Sequence, residues 1–233
     1  MTATTSSSNA ASSRAKAVVC LSGGMDSTVC ATLAARDFDV YCLHFSYGQR
    51  TETRELASSR AVAEIVGAKQ FLPLRMDLFR QIGGSALTDT SIAIPDAESE
   101  IGTSIPVTYV PFRNAHFLAA AVSWAEVLGA RTVSIGAVEQ DSSGYPDCRP
   151  AYYDAFNELI RQGTKEGEIR IVTPLIHMRK AEIVRMGVEL GAPLHVSWSC
   201  YSGEDKACGR CESCVLRLRA FDEARYQDPI PYA

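Results

Sequence analysis

The chain contains no apolar run long enough to span a membrane, and it has no excess of positive charge. Its formal net charge of −4 at pH 7 does not support a broad nucleic-acid-binding surface. Residues 1–15 are rich in Ser, Thr and Ala and lack the apolar core of a secretion signal. We therefore expect a disordered tail, with a transit peptide as the alternative, and a cytoplasmic protein without nucleic-acid or membrane partners.

A disulfide framework is not indicated either, because no secretion signal is present and four of the eight cysteines are scattered. The other four follow the spacing C-x7-C-x2-C-x2-C, at Cys200, Cys208, Cys211 and Cys214. Four thiolates complete the tetrahedral coordination of zinc, so we predict a structural Zn²⁺ site. An iron–sulfur cluster is the alternative, although its usual bacterial spacing differs, and a nucleic-acid-binding zinc ribbon suits the acidic chain poorly. Arg210, Arg217 and Arg219 are expected to offset the negative charge of this site.

The remaining composition is that of an ordinary globular protein. The 233 residues are 46% hydrophobic and 21% charged, which suits one large domain or one domain with a small appendage. We divide the chain into the tail over 1–15, a main domain over 16–195 and a C-terminal metal-binding helical segment over 196–233.

A glycine turn between a strand and a helix, at residues 17–28, organises the main domain. The apolar run Val18–Leu21 is typical of a parallel strand buried on both faces. Gly23 and Gly24 permit a sharp turn close to a ligand, and residues 26–28 are of the types that cap a helix N-terminus. Such a terminus suits an anion. The turn has neither the lysine of a Walker A loop nor the G-x-G-x-x-G of a dinucleotide-binding fold.

Strands and helices alternate along the rest of the main domain. Apolar patterns predict strands over 40–45, 70–74 and 132–136, an apolar stretch over 169–176, and helices over 26–36, 51–67, 114–129, 150–162 and 178–190. This order predicts an α/β fold, with a Rossmann-like open parallel sheet and helices on both faces. Residues 83–105 lack periodicity and are interpreted as an active-site flap or, equally, as a solvated linker.

Three polar segments should meet at one edge of the sheet. They follow Leu21, Phe45 and Ile135, and ligands of open α/β sheets bind outside the carboxyl ends of the strands. Lys180 stands in the first turn of its helix, where a cation is unfavourable unless an anion lies nearby. A bound phosphate would supply that anion, and a solvated surface lysine is the alternative.

Ser22–Ser27 resembles the SGGxDS signature of the PP-loop ATP pyrophosphatases. Together with other motifs it makes the chain resemble the 7-cyano-7-deazaguanine synthase family over residues 16–219. These motifs are the sequences YGQR at 47–50, VPFRN at 110–114, SGYPDCR at 143–149 and KAE at 180–182, and the four clustered cysteines. Phe112 and Ser46 depart from the family, which often has Gly and Asp there, and both departures are expected to alter the shape of the pocket.

The resemblance implies that 7-carboxy-7-deazaguanine is converted to 7-cyano-7-deazaguanine with ATP and free ammonia, by way of an adenylated carboxylate and an amide. It implies ATP, Mg²⁺ and structural Zn²⁺ as cofactors, small molecules as binding partners, and a homodimer. Two alternatives stay open. One is another PP-loop adenylating enzyme that modifies tRNA or forms an amide, and the other is a non-catalytic nucleotide-binding relative.

The resemblance also implies roles for individual residues. ATP would be bound by Leu21, Ser22, Gly23, Gly24, Met25, Asp26, Ser27 and Thr28. The catalytic candidates are Asp26, which would also help to bind Mg²⁺, Ser27, Arg113 and Lys180. The substrate-binding candidates are Tyr47, Gln49, Arg50, Asp141, Tyr145, Asp147 and Arg149. Cys148 is interpreted as a packing residue, because adenylate chemistry needs no thiol nucleophile.

Overall fold

An open parallel sheet forms the centre of the fold, as the sequence predicts, and it has five strands where four were predicted. The computed structural model describes residues 14–97, 105–139 and 145–233. The spatial order of the strands is β3-β2-β1-β4-β5, which places β1 and its following turn in the middle of the sheet. The strands are β1 Lys16–Cys20, β2 Asp39–Ser46, β3 Gln70–Arg75, β4 Thr132–Ile135 and β5 Arg170–Val172. The apolar stretch over 169–176 therefore contains a short strand of its own, β5.

Helices cover both faces of this sheet. They are α1 Met25–Asp37, α2 Glu52–Ile65, α3 Leu78–Ile82, α4 Arg113–Leu128, α5 Pro150–Gly163, α6 Lys180–Glu189 and α7 Glu212–Ala224. Successive strand residues alternate between faces: Val18 packs with Leu118 of α4, whereas Val19 packs with Ala31 of α1 and Val62 of α2. No helix in the described part of the chain is both long and apolar enough to cross a membrane.

The start of α1 differs from the prediction in one respect. Gly24, in extended backbone conformation, is the N-cap, and no side chain caps the helix. Ser27 and Thr28 lie inside the first turn, where their hydroxyls donate to the Gly24 carbonyl oxygen at 3.0 and 2.8 Å. The prediction that residues 26–28 cap this helix was wrong, because the helix already begins at Met25, one residue earlier than predicted. As a result, no side chain of the described residues caps the free N–H groups of the first turn.

The segment between α3 and α4 is more ordered than a solvated linker over the residues that the structure describes. Ser85 and Ala86 are fully buried, and the Arg50 guanidinium donates to the carbonyl oxygens of Ala86 at 2.8 Å and of Asp89 at 3.2 Å. The same guanidinium also donates to the carbonyl oxygen of Ile92. Residues 98–104 lie outside the described residues, and the flap stays a prediction.

The C-terminal segment is hydrogen-bonded to the main sheet domain. The side chain of Trp198 is buried in a cluster with Cys200, Ala207 and Ile230. The backbone N–H of Trp198 donates to the Gly23 carbonyl oxygen at 2.7 Å. The boundary near residue 196 stays a prediction. Residues 1–13 of the predicted tail lie outside the described residues, whereas the Ala15 carbonyl oxygen accepts from the N–H of Asp39.

The expected role of Arg217 beside the cysteines was wrong. Its guanidinium forms a buried bidentate ion pair with Asp228, with N–O distances of 2.7 and 2.9 Å. It also donates to the hydroxyl of Ser197 and the carbonyl oxygen of Leu194, at 2.8 and 3.2 Å. Arg217 therefore holds the chain end against α7 and the segment before the cysteines. Its charge is balanced by Asp228, since a buried guanidinium needs a nearby anion.

Candidate active site

The turn after β1 is held in a conformation that suits glycine. Gly23 has φ +89°, and a Cβ at this position would lie 2.8 Å from both the Glu55 carbonyl oxygen and the Ser59 nitrogen of α2. One side of the turn therefore contacts α2, while its Gly23 carbonyl oxygen accepts from Trp198. The loop is thus held from two sides, by α2 and by the segment that contains Trp198.

The loop and the first turn of α1 form a cradle suited to an anion. The hydroxyls of Ser22 and Ser27 lie 2.9 Å apart, and the Ser22 hydroxyl accepts from the N–H of Gly24 at 3.2 Å. The positive end of the α1 dipole lies beside them. Backbone donors, hydroxyl groups and a helix N-terminus are the groups that bind phosphate oxygens in proteins.

Lys180 has the anionic neighbour that its position requires. Its Nζ atom lies 2.7 Å from Oδ2 of Asp26, and both side chains are largely buried, with exposures of 14% and 25%. The pair joins the N-terminus of α6 to that of α1 across the loop. The other carboxylate oxygen, Oδ1 of Asp26, is buried and has no hydrogen-bond partner within the described residues. A buried carboxylate oxygen without a donor is suited to a cation.

Arg113 extends this charged region towards the aromatic residues. Its Nη1 donates to the Tyr47 hydroxyl at 2.9 Å, and its guanidinium lies 5.5 and 5.7 Å from the ring centres of Tyr47 and Phe117. Burial raises the pKa of Tyr47 to about 12, so its hydroxyl is neutral. The Nε atom of Arg113 is buried without a partner in the described chain, so it is available to a ligand.

Two adjoining cavities open at the carboxyl edge of the sheet. The first, which we call the lysine cavity, has a volume of about 230 Å³, and its own lining residues include Asn114, Cys148 and Lys180. The second, which we call the aromatic cavity, has a volume of about 290 Å³, and its own lining residues include Phe45, Tyr47, Glu55, Phe117 and Trp198. Both are lined by Asp26, Arg113, Tyr145, Ser199, Tyr201 and Ser213. The segments after Leu21, Phe45 and Ile135 all line the aromatic cavity, as predicted.

Only two of the substrate-binding candidates that the structure describes line the cavities. Tyr47 and Tyr145 line the cavities, but the described contacts of Gln49 and Arg50 are all with protein groups. Asp147 is buried and accepts from the N–H of Asn114 at 3.3 Å, and Arg149 is an exposed residue that precedes α5. These four line neither cavity.

The other substrate-binding candidate, Asp141, lies outside the described residues. The two departures from the family also lie away from the cavities. Ser46 is buried in β2, and Phe112, in the left-handed region with φ +56°, is 60% exposed. The expectation that they alter the shape of the pocket was wrong for both cavities, because the side chain of Phe112 points to solvent and that of Ser46 is enclosed by protein.

Several cavity residues were missed in the sequence analysis. Glu55, Ser199, Tyr201 and Ser213 all line the aromatic cavity. Glu55 lies within α2, and no local pattern separates it from the charged surface residues of that helix. The others lie in the cysteine segment, which we predicted only as a metal-binding unit. Its contact with the loop through Trp198 places these residues at the site.

Cys148 lines the lysine cavity as a neutral thiol. Burial and, to a smaller extent, the nearby negative charge of Asp147 raise its pKa to about 12. The Sγ atom has a weak contact of 4.0 Å with Nδ2 of Asn114. A thiol with so high a pKa is a poor nucleophile at neutral pH.

The four clustered cysteines converge on one point. Their Sγ atoms all lie within 4.8 Å of one another. Hydrogen bonds from the thiols of Cys211 and Cys214 lower the pKa of Cys200, and so do the backbone N–H groups of Cys208 and Gly203. Because Zn–S bonds are about 2.3 Å long, four sulfurs this close can surround one tetrahedral ion. The donor set fits zinc.

Comparisons with known proteins identify the family of this chain. The profile of the family described as queuosine biosynthesis protein QueC matches residues 16–225. A 7-cyano-7-deazaguanine synthase from Acidobacterium capsulatum is 73% identical over 223 residues, which cover 94% of this chain and 97% of that protein. The synthase from Koribacter versatilis is 64% identical over 221 residues, covering 94% and 93%. Among solved structures, an NAD⁺ synthetase from Burkholderia pseudomallei matches with a TM-score of 0.45 and 14% identity, over 94% of this chain and 76% of its own. The chain belongs to the QueC family of queuosine biosynthesis proteins.

Proposed function

We propose that this protein converts 7-carboxy-7-deazaguanine and ammonia to 7-cyano-7-deazaguanine with ATP. The observation that carries the proposal is the shared wall of the two cavities, where Asp26, Arg113 and the first turn of α1 lie together. Two ligands in adjoining cavities meet at such a wall, as the transfer of AMP to a carboxylate requires. The relatives with 73% and 64% identity carry the name of this activity.

ATP is bound with its β and γ phosphates on the loop. The hydroxyls of Ser22 and Ser27 and the N-terminus of α1 contact the phosphate oxygens, and Lys180 neutralises their charge. Mg²⁺ fits the unpartnered Oδ1 of Asp26, because hard cations prefer carboxylate oxygens. When bound, the metal would draw charge from the phosphates.

Activation has to occur twice. A carboxylate resists attack by ammonia because it is negatively charged and has no good leaving group. Its oxygen attacks the α phosphorus of ATP, pyrophosphate leaves, and ammonia then displaces AMP to give the amide. The amide oxygen attacks the α phosphorus of a second ATP, pyrophosphate leaves again, and loss of AMP and of both amide N–H protons leaves the nitrile. Arg113 and Lys180 stabilise the charge that develops at the phosphates.

The cysteine site has a structural role in this proposal. Cys200, Cys208, Cys211 and Cys214 would bind Zn²⁺ with all four positions filled, so the metal does not touch the substrate. Thiolates that must stay reduced suit the cytoplasm, where we place the reaction.

We also propose a homodimer that covers the apolar groove between α4 and α5. The groove, of about 520 Å³, is lined by Phe112 and Leu159, which are 60% and 61% exposed. Sedimentation of the wild type and of Phe112→Asp tests this. We expect a dimer for the wild type and a monomer for the variant, and a monomeric wild type would contradict the proposal.

The function is tested by mass spectrometry of the purified protein with Mg-ATP, ammonium and 7-carboxy-7-deazaguanine. We expect the nitrile, with AMP and pyrophosphate. AMP without nitrile would contradict this substrate and favour another adenylating ligase. If an ATP-binding sample formed neither product, the non-catalytic alternative would replace the proposal.

A further inference from the structure

The loop residues assigned to ATP line only one of the two cavities. Leu21, Ser22, Gly24 and Ser27 line the aromatic cavity and are absent from the walls of the lysine cavity. A nucleotide with its phosphates on this loop therefore occupies the aromatic cavity. The lysine cavity, on the other side of the shared wall, is left for the second substrate.

The lysine cavity offers few fixed hydrogen-bond acceptors. Among the described side chains that line it, only those of Asp26 and Asn114 carry an oxygen that accepts and cannot donate at neutral pH. Asp26 is already paired with Lys180 at 2.7 Å. The hydroxyl groups of the cavity can donate as well as accept, so they distinguish ligands poorly. The amide oxygen of Asn114 is therefore the acceptor that can select a ligand.

The Asn114 amide is held in one orientation. Its Nδ2 donates to the backbone carbonyl oxygen of Asp147 at 3.3 Å and has the weak contact of 4.0 Å with Sγ of Cys148. Because a carbonyl oxygen only accepts, the amide cannot be reversed at this contact. The backbone N–H of Asn114 also donates to the Asp147 carboxylate, which fixes this end of α4. No described residue donates to the amide oxygen, Oδ1.

Asn157 shows how an asparagine with a purely structural role is used in this fold. Its Nδ2 donates to the carbonyl oxygen of Ile171 at 3.1 Å, and its Oδ1 accepts from the N–H of the same residue at 2.7 Å. Both ends of that amide are bonded to protein. Asn114 is buried, yet only its donor end is bonded to protein. An acceptor that no protein group satisfies, in the wall of a cavity, is suited to an N–H group of a ligand.

Building on the proposed function, we propose that Asn114 determines the specificity of the lysine cavity by accepting a hydrogen bond from the 2-amino group of 7-carboxy-7-deazaguanine. The carboxylate of the substrate then faces Arg113 on the shared wall, towards the α phosphorus of ATP. The ring lies among apolar and aromatic walls, which include Ile135, Val138 and Tyr145.

The 2-amino group is the feature that separates this substrate from other purine-like rings. An adenine ring, such as that of ATP, and a hypoxanthine-type ring both carry a C–H at this position, so neither can form the bond. Asn114 therefore favours a guanine-type ring. Asp147 acts as a positioning residue, since its carbonyl oxygen orients the amide.

Two substrates test the assignment: 7-carboxy-7-deazaguanine and its analogue without the 2-amino group. We measure kcat/KM from AMP release for the wild type, for Asn114→Ala and for the matched control Asn157→Ala, whose residue lines neither cavity. We expect the wild type and the control to prefer 7-carboxy-7-deazaguanine by about 10- to 100-fold. Asn114→Ala should lose a similar factor with this substrate and turn over both compounds within about threefold of each other. Asn114→Ser, which keeps a polar group in the first turn of α4, is a second variant with the same expected loss.

Equal kcat/KM for the two substrates in the wild type would overturn the assignment, and this result needs no folded variant. A preference that persists in Asn114→Ala or Asn114→Ser would overturn it too, and so would a preference that Asn157→Ala also loses. If the wild type formed nitrile and yet showed no preference, only the role of Asn114 would fail. A wild type without nitrile formation would refute the proposed function itself.

Discussion

The backbone N–H of Trp198 donates a 2.7 Å hydrogen bond to the carbonyl oxygen of Gly23, and this bond joins the cysteine segment to the glycine loop that follows β1. A second bond acts in the same region, since the hydroxyl of Thr51 donates to the carbonyl oxygen of Cys200 at 3.1 Å. The cysteine site therefore supports the loop and the start of α2 from one side. It can affect ATP binding without touching ATP.

Removal of the metal should weaken ATP binding. Zinc contributes on the order of 10 kcal/mol to the folding of small four-ligand sites, so its loss should release the segment that holds Gly23. We expect one zinc per chain by elemental analysis. A chelator, with excess Mg²⁺ present throughout, should lower both the Tm and the affinity for ATP. A metal-free sample with unchanged Tm and ATP affinity would contradict this link.

Gly23→Ala should damage the loop. The new Cβ would lie 2.8 Å from two backbone atoms of α2 at a residue with φ +89°, so backbone must move. We expect a loss of about 2 kcal/mol or more in the free energy of unfolding, and a higher KM for ATP.

Gly67→Ala is the control for the backbone strain alone. Gly67 has φ +71°, but a Cβ there would meet no atom of the described residues within 4 Å. Gly67→Ala should lower the free energy of unfolding by about 1 kcal/mol and leave the KM for ATP unchanged. Equal effects of the two substitutions in urea unfolding and in kinetics would show that close packing of the loop against α2 is unimportant.

Lys180→Met should reduce catalysis more than stability. The substitution removes the cation that lies 2.7 Å from Asp26 beside the loop, where charge develops during transfer of AMP. We expect kcat/KM to fall by about 100-fold or more in steady-state assays of AMP release. Lys69→Met is the control, because this lysine is 55% exposed and pairs with Asp39 at 3.6 Å. A loss of less than threefold in Lys180→Met would refute the role of Lys180.

Cys148 should resist alkylation at neutral pH. Its thiol pKa is raised to about 12, so the reactive thiolate is absent at pH 7.5 and forms only as the pH approaches that value. We expect intact-mass spectra of zinc-loaded protein to show no iodoacetamide adduct at pH 7.5, and the rate to keep rising beyond pH 9. An unfolded sample should take up eight adducts, one for each cysteine of the chain. Rapid modification of Cys148 with a plateau near pH 8 would contradict the raised pKa.

The sheet and the loop were predictable because they depend on local patterns. The run from Val18 to Leu21 is buried on both faces, and the two glycines follow it directly, so strand, turn and helix had one consistent arrangement. The four cysteines were equally clear, since their spacing reflects the geometry of one ion.

The contacts of individual polar side chains were less predictable. Gln49 and Arg50 belong to a motif that suggests ligand binding, but both donate to protein groups, which only the folded chain reveals. The buried face of α2 carries Ser58 and Ser59, and Gly23 packs closely against them, although no apolar pattern marks these two serines as buried. Long-range pairs such as Arg217 and Asp228 leave no periodic pattern.

The fate of the substrate oxygens tests the central proposal most directly. The measurement uses 7-carboxy-7-deazaguanine labelled with ¹⁸O in both carboxylate oxygens, together with Mg-ATP, ammonium and wild-type protein, and the products are analysed by mass spectrometry. Two successive adenylations predict an unlabelled nitrile and two molecules of AMP, each of which carries one ¹⁸O atom. Label in inorganic phosphate, or nitrile formed with unlabelled AMP, would contradict activation by attack on the α phosphorus.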